Sequence, residues 1–146
     1  MNPTTQQTLD SIAYVAWHGH ELVEECSDRV MVAQPGKADL LNYVGTVHAG
    51  ALFTLAETAG GVLADRRARP LGCFILLRSA TIHYLRRATG RLAATAGVDA
   101  EAAAACEPRP GTTDPMDLRV RVRIHDASDQ AVFDGQFHYV MRPHKP

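Results

Sequence analysis

Between Val47 and Ala64 the sequence VHAGALFTLAETAGGVLA carries one formally charged residue, Glu57. Moving an isolated carboxylate into apolar surroundings is so costly that the group pairs, takes up a proton or borders a wet cavity. Two readings of Glu57 follow. It can reach the surface and meet an arginine such as Arg78 or Arg86, or it can act as a general base or nucleophile whose pKa is tuned where a cavity meets the chain. The second is the favoured expectation. Gly60 and Gly61 follow one turn later, although each glycine inside a helix costs about 0.5–1 kcal/mol relative to alanine. A close approach there would come from a second helix across a dimer axis, from a ligand chain, or from a packed sheet. Upstream, Gly45, Thr46, His48 and Gly50 surround the point where a helix would begin and its first N–H groups would lack acceptors. Such a terminus suits an anion or a developing oxyanion. A histidine that merely caps or packs accounts for His48 equally well.

These residues need an element to hold them. Leu52, Leu55, Ala56, Ala59 and Leu63 have helical spacing, and Asp65-Arg66-Arg67 return the chain to solvent before Pro70. A helix apolar on every side must be wrapped, here by a sheet. The spacing predicts a short helix over Leu9–Gly19, one strand over Glu21–Gln34 ended by Pro35-Gly36, and a loop over Asp39–Val47. Four strands follow the long helix, near Gly72–Leu85, Arg91–Ala103, Met116–Asp126 and Gln130–Met141. Their connections fall at Ala88–Gly90, Glu107–Thr113 and Ala127–Asp129. Arg119, Arg121 and Arg123 alternate with Val120, Val122 and Ile124, the mark of a half-buried strand. Ala131, Phe133, Phe137, Tyr139 and Met141 share one face of the last. The expected class is α+β, a long central helix wrapped by a curved antiparallel sheet.

Composition narrows the function. The 146 residues are one domain's worth, with 46% hydrophobic and 21% charged residues, enough apolar material for a core. Fifteen Lys and Arg against 16 Asp and Glu leave a net charge of −1, which argues against a nucleic-acid partner. The Arg119, Arg121, Arg123 row lacks interleaved aromatics and reads as a solvated face. Cys26, Cys73 and Cys106 form no CxxC pair, so a reducing, cytoplasmic setting is expected. The start MNPTTQQTLDS lacks an export signal, and the longest apolar stretch, near Cys73–Leu77, is far short of a membrane span. His18 and His20 read as surface or loop residues rather than metal ligands. His83 reads as a strand histidine or a pocket lining. Arg86 and Arg87 follow a strand, as a solvated strand end or as forks for phosphates.

The segment NYVGTVHAGALFTLAE, Asn42 to Glu57, resembles the Asn-x5-His-Gly-Gly-x6-Asp/Glu signature of hotdog-fold acyl-CoA thioesterases, particularly the phenylacetyl-CoA thioesterase-like branch. The element order and Ile82-x-Tyr84 extend the likeness over most of the chain. The resemblance implies that Glu57 is the catalytic carboxylate and that the Ala49 N–H polarises the thioester carbonyl. Asn42 would position the thioester or the attacking water, and His48 and Gly50 would organise the same loop. Gly45, Thr46, Gly60, Gly61, His83, Arg86 and Arg87 would line the substrate site, the arginines towards the CoA phosphates. The chain departs from the family at Ala49, where glycine is usual, and at Arg87, where proline is common. The implied reaction is acyl-CoA plus water giving a carboxylic acid and free CoA, with no metal, and with CoA as part of the substrate rather than a cofactor. Ala49 and Glu57 are eight residues apart, roughly 12 Å along a helix axis at 1.5 Å per residue. One thioester carbon would not touch both. Glu57 of one protomer is therefore expected to face the helix terminus of its twofold mate, in a homodimer or a dimer of dimers. A hotdog hydratase or dehydratase and a non-catalytic acyl-CoA-binding protein are the competing readings.

Overall fold

The computed structural model describes residues 1–98 and 114–145. The chain begins with two short helices, α1 (Thr5–Ser11) and α2 (Ala13–His18). Thr4 opens α1 with a capping box: its hydroxyl accepts from the Gln7 N–H and its own N–H donates to the Gln7 side chain. The single helix expected over Leu9–Gly19 is in fact this pair, because Ile12 between them is extended (φ −88°, ψ 100°). Gly19, in the left-handed region, ends α2.

The one strand expected over Glu21–Gln34 is a hairpin, β1 (Glu21–Glu25) and β2 (Arg29–Gln34). The turn residues Cys26-Ser27-Asp28 reverse the chain, and the Cys26 N–H donates to the Arg29 carbonyl at 2.8 Å. A 3-10 turn at Ala38–Leu40 and a bridge between Leu41 and Val47 shape the loop that leads to α3 (Ala49–Ala68). Four strands follow: β3 (Cys73–Tyr84), β4 (Leu92–Gly97), β5 (Met116–Asp126) and β6 (Ala131–Pro143). The expected extension of β4 to Ala103, the 107–113 connection and Cys106 lie outside the described residues. The turn at Ala127–Asp129 is present, with Asp126 Oδ1 accepting from the Ser128 and Gln130 N–H groups.

All six strands form one antiparallel sheet in the order β1-β2-β4-β5-β6-β3. It wraps α3, which packs against every strand from β2 to β6. Strict alternation makes this possible: Leu118, Val120, Val122 and Ile124 of β5 are fully buried against the helix, while Arg119, Arg121 and Arg123 face out. Arg121 and Arg123 pair with Asp134 of β6 there. Among the described residues, β3 has a strand neighbour on one side only, so one of its edges is open. No helix of the described residues is long and apolar enough to cross a membrane.

Candidate active site

Two places on α3 carry the residues of interest, and the first is its N-terminus. His48 caps the helix, its Nδ1 accepting from the Gly50 N–H at 2.8 Å. A Cβ at Gly50 would lie 3.1 Å from that Nδ1, so glycine keeps the cap close. The Ala51 and Leu52 N–H groups donate to the His48 carbonyl. The Ala49 N–H has no acceptor among the described residues, and it stands exposed at the positive end of a 20-residue helix. Around it the loop is fixed by Asn42, whose Oδ1 accepts from the Val44 and Thr46 N–H groups, each at 3.1 Å. Asn42 Nδ2 donates to the Thr46 hydroxyl, and Gly45 turns the chain at φ 79°. The Tyr84 hydroxyl donates to the Ala49 carbonyl from β3. Asn42, Gly45, Thr46, His48, Ala49 and Gly50 thus form one corner, and the side chain of Asn42 is spent on the loop itself.

Two turns along the helix, Glu57 is half-buried. Among the described residues it meets no arginine: Arg78 pairs with Asp117, and Arg86 donates to Gln130. Its partner is the Tyr139 hydroxyl, which lies 3.3 Å from Glu57 Oε1 and 3.2 Å from the Glu57 carbonyl. Burial pushes the Glu57 carboxyl above its ordinary pKa, and the Tyr139 hydrogen bond pulls the other way. The side chain lines a cleft of about 740 Å³ between α3 and the N-terminal helices. Leu9, Ile12 and Val15 form one wall, and Gly61, Val62 and Ile75 lie opposite. The charged groups at its rim are already paired, Glu25 with Arg66 and Asp65 with Arg69.

Glu57 belongs to a row of α3 that the sheet leaves open. Phe53, Glu57, Gly61 and Asp65 are half-buried and Ala49 is exposed, whereas most of the rest of the helix is buried. These positions recur every fourth residue, a ridge that winds about 40° per step around the helix, so Ala49 and Glu57 lie about 80° apart. The carboxylate and the free amide therefore share a ridge but not a corner.

The other expected residues fall elsewhere. The close approach at Gly60 is that of Tyr139, whose hydroxyl would lie 2.8 Å from a Cβ there; Gly60 faces the sheet and Gly61 faces the cleft. His83 is exposed, opposite Asp134 on the outer face of the sheet, away from both places. Arg86 and Arg87 are exposed, just before Ala88, whose carbonyl accepts from the Val47 N–H beside the helix terminus. His18 and His20 are not surface residues: they are 4% and 3% exposed. Tyr14 and Trp17 pack edge-on against His18, and the ring nitrogens of His20 meet Thr58 and Gln34 at 3.1 Å each, so the N-terminal helices bury both histidines against α3. Burial pulls His20 down from 6.5 to about 4. Sequence reasoning missed Tyr139 as a site residue. The signal was a lone phenol on the inner face of β6, because a buried tyrosine needs a partner for its hydroxyl. Among the described residues, no group of three or more His, Cys, Asp or Glu is arranged to hold a metal ion.

A family model described as a domain of unknown function, DUF4442, matches residues 12–141. No curated protein matches the chain. Among solved structures, a Pseudomonas aeruginosa protein of unknown function described as a probable thioesterase is similar at 26% identity and a TM-score of 0.82, over 96% of this chain and 94% of that one. A mutant of a thioesterase enzyme from Staphylococcus aureus shares 16% identity at a TM-score of 0.74, over 90% and 99% of the two chains. The Escherichia coli PaaI protein of the phenylacetic acid degradation operon shares 20% identity at a TM-score of 0.73, over 95% and 90%. At such identities the last two speak for the fold alone. The chain belongs to the DUF4442 family, and its sheet-wrapped helix is the hotdog fold of the thioesterases.

Proposed function

We propose that the protein is an acyl-CoA thioesterase that hydrolyses its substrate to a carboxylic acid and free CoA, using no metal and no cofactor beyond the CoA that the substrate carries. One observation carries this reading. Among the described residues, a helix-terminal N–H without an acceptor, that of Ala49, lies on the same open helix row as a half-buried carboxylate with no cation beside it, Glu57. The first is the donor that an oxyanion needs. The second, with a pKa raised by burial, is a stronger base than a solvated glutamate. Glu57 either takes a proton from the attacking water or adds to the carbonyl itself, giving a mixed anhydride that water then cleaves. In both routes the C–S bond breaks, CoA leaves as thiolate and takes up a proton, and Ala49 N–H holds the carbonyl oxygen while it is negative.

Ala49 and Glu57 are separated by about 12 Å along one helix, so the working site draws Ala49 from one protomer and Glu57 from its twofold mate. The open edge of β3 supports this, as do the exposed Tyr43 and Val44 beside the helix terminus and Leu76 on β3. His48, Gly50 and the Asn42–Thr46 loop hold the Ala49 amide in place. Arg86 and Arg87, next to the same corner, are the groups for the CoA phosphates. His83, on the other face of the sheet, takes no part.

The test is free-thiol release from short, medium and aromatic acyl-CoAs by the wild type and by Glu57→Ala. The expected result is release by the wild type and a loss of about 10²–10⁴-fold in the variant. Wild type that releases no thiol but hydrates an enoyl-CoA would be a hydratase, and tight binding without turnover would mark a binding protein.

A further inference from the structure

We propose that Tyr139 is the positioning residue of Glu57: its hydroxyl holds Oε1 against the sheet and leaves Oε2 as the oxygen that works in the cleft. This rests on the thioesterase reading for its consequence, but not for its geometry. Tyr139 is fully buried in β6, and its hydroxyl reaches both the Glu57 carbonyl at 3.2 Å and Oε1 at 3.3 Å. The single phenol proton is shared between these two acceptors: the backbone carbonyl keeps the phenol at one point on α3, and Oε1 is held beside that point. Oε2 has no hydrogen-bond partner among the described residues, and it is not among the buried atoms that lack one, so it is the oxygen open to the cleft. The sequence makes room for this arrangement at Gly60, where any Cβ would lie 2.8 Å from the phenol oxygen.

The hydroxyl also sets when the base is available. Burial and the adjacent carboxylate push the Tyr139 phenol well above its ordinary pKa, so it stays a donor throughout the working range. A donor stabilises the ionised carboxylate and opposes the upward push of burial. Among the described residues, the remaining ionisable groups around Glu57 do not duplicate it. Glu25 of β1 is bound to Arg66, Asp65 to Arg69, and His20 faces Thr58 rather than the carboxylate. The wall offered by β3 is Ile75, and the wall offered by the N-terminal helices is Leu9, Ile12 and Val15.

The experiment compares wild type with Tyr139→Phe in two readouts. The first is kcat/KM for thiol release from pH 4.5 to 9. The second is titration of the Glu57 carboxyl by ¹³C NMR, with Glu57→Gln to assign the resonance. Loss of the donor is expected to raise the Glu57 pKa by about one unit, so the acid limb of the rate profile moves up and the variant loses about tenfold on that limb. The alkaline plateau falls far less. In a protein carrying 3-fluorotyrosine at position 139, a stronger donor of the same shape, both readouts move the other way. A carboxyl titration that stays put in both proteins overturns the proposal, as does a rate loss equal at every pH. If the wild type hydrolyses no thioester, the functional reading falls while the titration still decides the role of Tyr139.

Discussion

Glu57 is a group that folding does not want ionised. Its folded pKa lies above its ordinary value of 4.5, so it favours the folded state most when protonated, below that value, and the advantage disappears as pH rises through the folded pKa. At neutral pH the carboxylate is therefore a stability cost, which the proposed role as base would account for. Glu57→Gln is expected to unfold at a higher temperature than wild type at pH 8 and at the same temperature at pH 4, while losing about 10²–10⁴-fold in activity. Thermal unfolding at the two pH values checks the sign. His20 behaves differently. With a pKa drawn from 6.5 to about 4 it is buried neutral, and the stability present above 6.5 is lost as pH falls towards 4. The loss is about 3 kcal/mol. Urea unfolding of wild type and His20→Gln at pH 7 and pH 4.5 should show a steeper acid loss in the wild type, since Glu57 contributes equally to both.

At the scale of elements, α3 offers two sharp tests. Proline is well tolerated at the first position of a helix, where the N–H has no intrahelical partner, and the extended His48 before it (φ −60°, ψ 139°) suits a pre-proline residue. Ala49→Pro thus removes one hydrogen atom of interest and leaves the helix. It is expected to fold like the wild type by circular dichroism and to lose about 10²–10³-fold in kcat. Gly60→Ala should be destabilised by about 1–3 kcal/mol in denaturant unfolding despite its better helix propensity. Tyr139→Phe should relieve most of that cost, because the nearest remaining contact is Val122 at 3.4 Å. The helix itself was legible from the spacing of Leu52, Leu55, Ala59 and Leu63. The hairpin of β1 and β2 and the break at Ile12 were not, because a three-residue reversal and a single extended residue leave hydrophobic periodicity nearly unchanged.

For the molecule as a whole, the separation of Ala49 from Glu57 predicts complementation. In a heterodimer of Glu57→Ala with Ala49→Pro, one site joins the intact amide of the first chain to the intact carboxylate of the second. The other site lacks both. Refolding equal amounts together should restore about a quarter of wild-type activity if sites are shared across a twofold axis, and none if each chain works alone. Steady-state thiol release before and after mixing gives the answer.

The central helix, the alternation that wraps a sheet around it, the lone Glu57 and the residues at the helix terminus are all legible along the chain, because periodicity and the cost of burying a charge act locally. What those residues touch depends on how the elements pack. Tyr139 lies 82 positions from Glu57 and reads as one more aromatic on a core face until β6 is laid beside α3. His18 and His20 lie near the chain surface in any local reading and become buried only when the N-terminal helices close over α3. Hydrogen-bond partners across a sheet are set by strand order, and no pattern along a single strand carries that order.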